Sequence, residues 1–237
     1  MIDGPKLLAE AIDAGVELVE VVAEPNASVD LLSRAEAAGA MVYIVLPGSL
    51  AKSVDAQTPQ SVAAIARIPR DPSLAPPTPN LVIVTVGVND PGNAGSLLRS
   101  ADAAGAEMMV FCDDSVDPYN PKCVRASAGS LFRVPVVRAA DAAATLGSLK
   151  ASGVTTLGLV ARGGAVYDQV DYAVPSAVVL GSEAHGLPAA VESLVDQLVT
   201  IPMSGPTESL NVGMAGTIVC FEALRQRRNR DKEPSTP

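Results

Sequence analysis

The chain has no tryptophan, only 3% aromatic residues in 237, and a single histidine, His185. Cysteine is scarce too: Cys112, Cys123 and Cys220 are odd in number and lack CxxC spacing. That pattern excludes a disulfide framework and a cysteine zinc site, and predicts three buried small hydrophobes. No cluster of metal-ligand residues is evident, so no metal is expected. No apolar run reaches the roughly 18 residues of a membrane span, and the opening MIDGPKLLAEA has no basic flank before an apolar core. A soluble, cytoplasmic protein is expected. Positive charge is in deficit: the formal net charge is −9. Net charge governs solubility and long-range steering rather than what one patch binds. Neither a P-loop nor a GxGxxG run is present, which argues against a phosphate-cradling nucleotide site.

What is present is a large apolar share, 48%, which suffices for a substantial core. The proline-rich DPSLAPPTPN, residues 71–80, reads as a semi-rigid linker. Before it, KLLAEAIDAGV and SVDLLSRAEAAGA read as helices, and ELVEVVAEP and MVYIVLP as strands. After it the alternation sharpens. NLVIVTVGV, EMMVFCDD, RVPVVRA, TTLGLVAR, SAVVLGSE and LVTIPMSG are strands; the segments starting at Asn93, Pro121, Asp141 and Leu187 and the stretch after Asn211 are helices. Continuous β-branched strands between amphipathic helices predict an α/β fold with a parallel sheet covered on both faces.

Ligands of open parallel sheets bind beyond the carboxyl ends of the strands. Three such loops are rich in glycine and in hydrogen-bonding residues. In the first, DPGNAGSLLRSADAAG, Asn93 can cap the following helix, and Arg99 six positions on can reach back toward the loop. In the second, VVLGSEAHGLP, Gly181 and Gly186 permit close backbone approach, Glu183 is either a cap or a functional carboxylate, and His185 reads as an exposed loop residue. In the third, IPMSGPTESLNVGMAG, Ser209 and Asn211 flank Leu210 and lead into a helix of small residues. On the residues alone, each loop is either a capped helix start or part of a ligand site.

Together the three loops resemble the three motifs of the SpoU (TrmH) family of RNA ribose 2′-O-methyltransferases, in the SPOUT superfamily. DPYNPKCVRASAGSLFRVPV between them is similar to family sequence, and residues 5–70 resemble, more weakly, the ribosomal-protein-like RNA-binding domain that precedes the catalytic domain in many members. The resemblance implies an RNA-binding domain at 1–70, a linker at 71–79 and a methyltransferase domain at 80–237. It implies a sheet knotted as a trefoil, a homodimer whose sites borrow groups from the partner, and S-adenosylmethionine as cofactor. Carried over by position, Leu180, Gly181, Ile201, Met203 and Leu210 hold the cofactor. Arg99 meets the ribose hydroxyl or an RNA phosphate, and Asn93, Glu183, Ser209 and Asn211 orient the loops and the arginine. The expected activity is methylation of a ribose 2′-hydroxyl in structured RNA, ribosomal rather than transfer RNA; the alternative is an RNA-binding or assembly module of the same fold without turnover. Arg125, Arg133 and the cluster from Arg225 to Arg230 are expected to dock the RNA. Two departures from the family stand out: Gly213 where serine is usual after SLNV, and an opening that reads as starting inside the first domain.

Overall fold

The computed structural model describes residues 1–53, 60–72 and 78–230. Of the expected linker, residues 73–77 lie outside the described residues. The first sheet is built from β1 (Ile2–Asp3), α1 (Pro5–Asp13), β2 (Leu18–Ala23), α2 (Val29–Ala37), β3 (Met41–Ile44), α3 (Leu50–Ser53) and β4 (Val62–Ala66), in strand order β1-β4-β2-β3. The expected helices and strands are there. β1, α3 and β4 are additions, and β4 runs antiparallel to β2. Ser28 caps α2 through the Leu31 N–H, and one face of that helix, Leu31 and Ala35, is buried.

The second sheet follows as β5 (Leu81–Val86), α4 (Pro91–Ala104), β6 (Met108–Cys112), α5 (Pro121–Ala126), β7 (Val136–Ala139), α6 (Ala142–Ala151), β8 (Thr155–Leu159), β9 (Ala165–Val166), β10 (Ser176–Leu180), α7 (Ala189–Glu192), β11 (Gln197–Thr200) and α8 (Val212–Arg230). Its seven strands are all parallel, in order β7-β6-β5-β10-β8-β11-β9. β5, β6 and β10 are buried along their whole length because helices cover both faces. Leu81 and Ile83 face one apolar cluster, with Leu97, Leu180 and Val219; Val82 and Val84 face the other, with Leu146 and Val179. Each such side chain contributes roughly 1.5–3 kcal/mol on burial.

Two expected helices come out shorter. The stretch from Pro121 breaks after α5, where Ala128 and Gly129 take φ of 48° and 95°, before a 3-10 turn at Ser130–Phe132. α7 has four residues, since Asp196 is drawn back to the sheet by the Thr156 N–H at 2.8 Å and hydroxyl at 2.7 Å. The cysteines are buried as expected; burial pushes Cys112 up to about 11 and Cys123 and Cys220 up to about 12. No helix among the described residues is long and apolar enough to cross a membrane.

The two sheets are joined through charged groups. Arg133 donates to Asp102 at 2.7 Å and to Glu10 at 2.6 Å, and Arg125 lies 4.0 Å from Asp3. Arg138 donates to Asp71 at 3.1 Å and stacks over Tyr119. Most of the cations expected to form a docking surface are engaged within the chain. Arg125 and Arg133 face carboxylates at the junction, Arg225 is paired with Glu222, and Arg227 and Arg230 donate to main-chain carbonyls of residues 172–174.

Candidate active site

The three loops singled out above emerge on one side of the second sheet. β5 leads into α4, whose cap is Asp90 rather than Asn93: the Asp90 carboxylate accepts the Asn93 N–H at 2.7 Å. The Asn93 side chain is thereby left to reach other loops. Its Nδ2 donates to Glu183 Oε1 at 2.8 Å, and its Oδ1 accepts from Asn211 Nδ2 at 2.9 Å. Asn211 in turn caps α8, its Oδ1 accepting the Met214 N–H at 3.2 Å. One carboxylate and two amides therefore tie the loops after β5, β10 and β11 into a unit.

Glu183 sits in a tight turn after β10. Ser182 and Gly186 exchange both main-chain hydrogen bonds, at 3.0 and 2.9 Å, and the Ser182 hydroxyl accepts the His185 N–H at 3.1 Å. Gly181 is required by this turn, because a Cβ there would collide with the main chain of Gly186 and Leu187. The backbone that approaches Gly181 is thus its own loop. His185 is exposed, as expected.

Beside the turn lies a cavity of about 450 Å³ between the loops after β8, β10 and β11. Leu180, Gly181, Ile201, Met203 and Leu210 all line it, as do Glu183 and Ser209. Asn93 and Asn211 stand behind Glu183 rather than in the wall. Arg99 is on the exposed face of α4, is absent from the lining, and makes no hydrogen bond or ion pair with a described residue. Sequence reasoning missed Glu208 and Arg162, which also line the cavity; the signal for Arg162 was a cation at a strand end followed by two glycines.

Behind the site, α4 and α8 pack closely. Gly216 has no room for a Cβ beside Leu97, the Ser100 and Thr217 hydroxyls lie 2.7 Å apart, and a Cβ on Gly95 would stand 2.8 Å from the Ala126 carbonyl carbon of α5.

Comparison with known proteins matches residues 80–221 to the family described as SpoU rRNA methylase. The chain belongs to the SpoU rRNA methylase family. The Bacillus subtilis 23S rRNA (guanosine(2553)-2′-O)-methyltransferase RlmP is 32% identical over 223 residues, 93% of this chain and 86% of that protein. A 23S rRNA (uridine(2479)-2′-O)-methyltransferase of Streptomyces viridochromogenes is 34% identical over 178 residues, 72% of this SpoU methylase and 62% of that protein. The crystal structure of the SpoU methyltransferase AviRb from the same organism, in complex with AdoMet, superposes with a TM-score of 0.86 at 28% identity, covering 96% of this chain and 89% of that one.

Proposed function

We propose that this SpoU methylase transfers the methyl group of S-adenosylmethionine to a ribose 2′-hydroxyl of structured RNA, ribosomal rather than transfer RNA. The observation that carries the proposal is the hydrogen-bonded chain Glu183–Asn93–Asn211, set beside a cavity lined by all five residues assigned to the cofactor. The lining fits that cofactor. Leu180, Ile201, Met203 and Leu210 offer an apolar slot for adenine, Glu183 and Glu208 offer carboxylates to its cationic groups, and the volume lies within the roughly 300–1,000 Å³ of small-molecule sites.

When bound, the cofactor supplies a methyl group made electrophilic by its sulfonium. The chain's own residues supply position. Glu183, held by Asn93, is an acceptor at the cavity edge, and Ser209 adds a hydroxyl to the lining. Holding reactants in register is worth up to roughly 7–11 kcal/mol of a barrier. Arg99 anchors an RNA phosphate: a guanidinium is a fixed cation, and this one lies outside the cavity and makes no hydrogen bond or ion pair with a described residue. A ribose 2′-hydroxyl is what separates RNA from DNA as substrate.

Four further assignments belong to this proposal. Residues 1–70 form an RNA-binding domain, 71–79 a linker and 80–237 the methyltransferase domain. The second sheet is a trefoil knot; the return of α8 from β11 across β10 to pack on α4 supports it. The protein is a homodimer through α8, on which Met214 and Phe221 are exposed at 64% and 46%. It acts in the cytoplasm, and no step assigned to these side chains calls for a metal.

The test is transfer of labelled methyl from S-adenosylmethionine to purified ribosomal and transfer RNA, followed by mapping of alkali-resistant linkages. Label at a ribose of ribosomal RNA is expected. Label on a base, or a protein that does not bind S-adenosylmethionine by calorimetry, overturns the proposal; cofactor binding without transfer to any RNA favours the module without turnover.

A further inference from the structure

The loop after β8, residues 160–164 in the run VARGG, forms one wall of the cavity, and its main chain is held on both sides of Arg162. The Val160 N–H donates to the Val199 carbonyl at 2.9 Å, and the Thr200 hydroxyl donates to the Ala161 carbonyl at 3.0 Å. Beyond the arginine, Gly163 takes a φ of +84°, and a Cβ on Gly164 would lie 2.7 Å from the main chain of Leu198 and Val199. Both glycines are needed to press the chain back onto β11 within two residues. The sequence therefore fixes the base of one side chain, Arg162, at the cavity mouth.

That side chain is exposed and makes no hydrogen bond or ion pair with any described residue. Among the described residues lining the cavity it is the one arginine or lysine, and Glu183, Glu192 and Glu208 share the lining with it. A strand of phosphates would meet three carboxylates here. A zwitterion brings cationic groups to the same carboxylates, and its own carboxylate requires a donor that the apolar slot lacks. The planar guanidinium fork matches a carboxylate with two parallel hydrogen bonds.

We propose that Arg162 binds the carboxylate of the methionyl tail of S-adenosylmethionine, so that the loop after β8 reads the amino-acid end of the cofactor while the slot of Leu180 and Met203 reads the purine. This rests on the cofactor assignment made under the proposed function. The guanidinium is a binding group that recognises the tail, and neither donates nor accepts a proton in the reaction.

Calorimetry on the full chain separates the possibilities with three titrants: S-adenosylmethionine, S-adenosylhomocysteine and 5′-methylthioadenosine, which keeps the nucleoside and sulfur but has no amino-acid group. Arg162→Ala is expected to weaken the first two by about tenfold, the scale of one hydrogen bond to a charged group, and to leave methylthioadenosine within about twofold. Arg162→Lys, which keeps the charge and loses the fork, is expected to fall between. Unchanged affinity of Arg162→Ala for S-adenosylmethionine overturns the inference alone, and so does an equal loss for all three titrants. Unchanged cofactor affinity with weakened RNA binding assigns the arginine to RNA and overturns it too. A wild-type protein that binds none of the three overturns the cofactor assignment itself, and this inference with it.

Discussion

Asn93 carries both links between the three loops: its amide nitrogen serves Glu183 and its amide oxygen serves Asn211. Asn93→Asp keeps the size and removes the donor, placing a second carboxylate where Glu183 now accepts at 2.8 Å. The expected result is a fall in single-turnover methyl transfer of about a hundredfold, since displacement of an active group by about 1 Å is enough for that, with cofactor affinity nearly kept. Transfer at the wild-type rate would show that the amide chain does not organise the site. A second residue, Glu222, is nine-tenths buried on α8 and accepts from Arg225 at 2.7 Å and from Gln226 at 2.8 Å. The hydrogen bonds from Arg225 hold its carboxyl below the ordinary 4.5, against the opposing effect of burial. A depressed carboxyl contributes stability that is complete above its unfolded pKa and is lost as pH falls through the lower folded value. Urea denaturation of Glu222→Gln should therefore show a deficit against wild type near pH 7 that narrows as the pH drops below about 4. A deficit that stays constant with pH would assign the loss to packing instead.

Three helical glycines look alike in the letters and differ in what surrounds them. A Cβ on Gly147 of α6 meets nothing within 4 Å, one on Gly216 of α8 runs into the buried Leu97 side chain, and one on Gly95 of α4 lies 2.8 Å from main-chain atoms of Ala126 and Ser127. Gly147→Ala is expected to stabilise by about 0.5–1 kcal/mol. Gly216→Ala should destabilise by about 1–3 kcal/mol, and Gly95→Ala by the top of that range, because a side chain yields more readily than a backbone. Thermal unfolding of the three variants gives the order directly, and a stabilising Gly95→Ala would contradict the close α4–α5 approach. This contrast also marks what the sequence could disclose. LVIVTV, MMVFC and SAVVL were legible as strands because both faces are buried and every letter is apolar. β4 was not, since three of its five residues are alanine and carry no strand signal. The break after α5 was hidden because Ala128 takes a left-handed φ that its residue type does not advertise. At the site, the density of glycine, serine and asparagine announced the loops. The partners of Asn93 did not show, because they stand 90 and 118 positions away.

At the scale of the molecule, the two sheets meet across an ionic junction, and that decides which cations remain for RNA. Arg133 shares Asp102 and Glu10, one from each side, and is 43% exposed. Exposed pairs of this kind contribute at most about 1 kcal/mol each, so Arg133→Ala should loosen the junction modestly and be felt less in high salt. By contrast Lys6, Arg70, Arg99, Lys122 and Arg228 make no ion pair with any described residue. Affinity for RNA falls with log salt at a slope of about 0.7–0.9 per neutralised phosphate, so each arginine or lysine on the backbone registers as close to one unit. Arg99→Ala is expected to lower that slope by about one and to abolish methyl transfer while leaving S-adenosylmethionine binding intact, and Arg133→Ala is expected to leave the slope unchanged. Filter binding of ribosomal RNA across a salt series checks both. A slope that drops for Arg133→Ala and holds for Arg99→Ala would mean that the junction opens to admit RNA, and that the surface beside α4 is not where the phosphates lie.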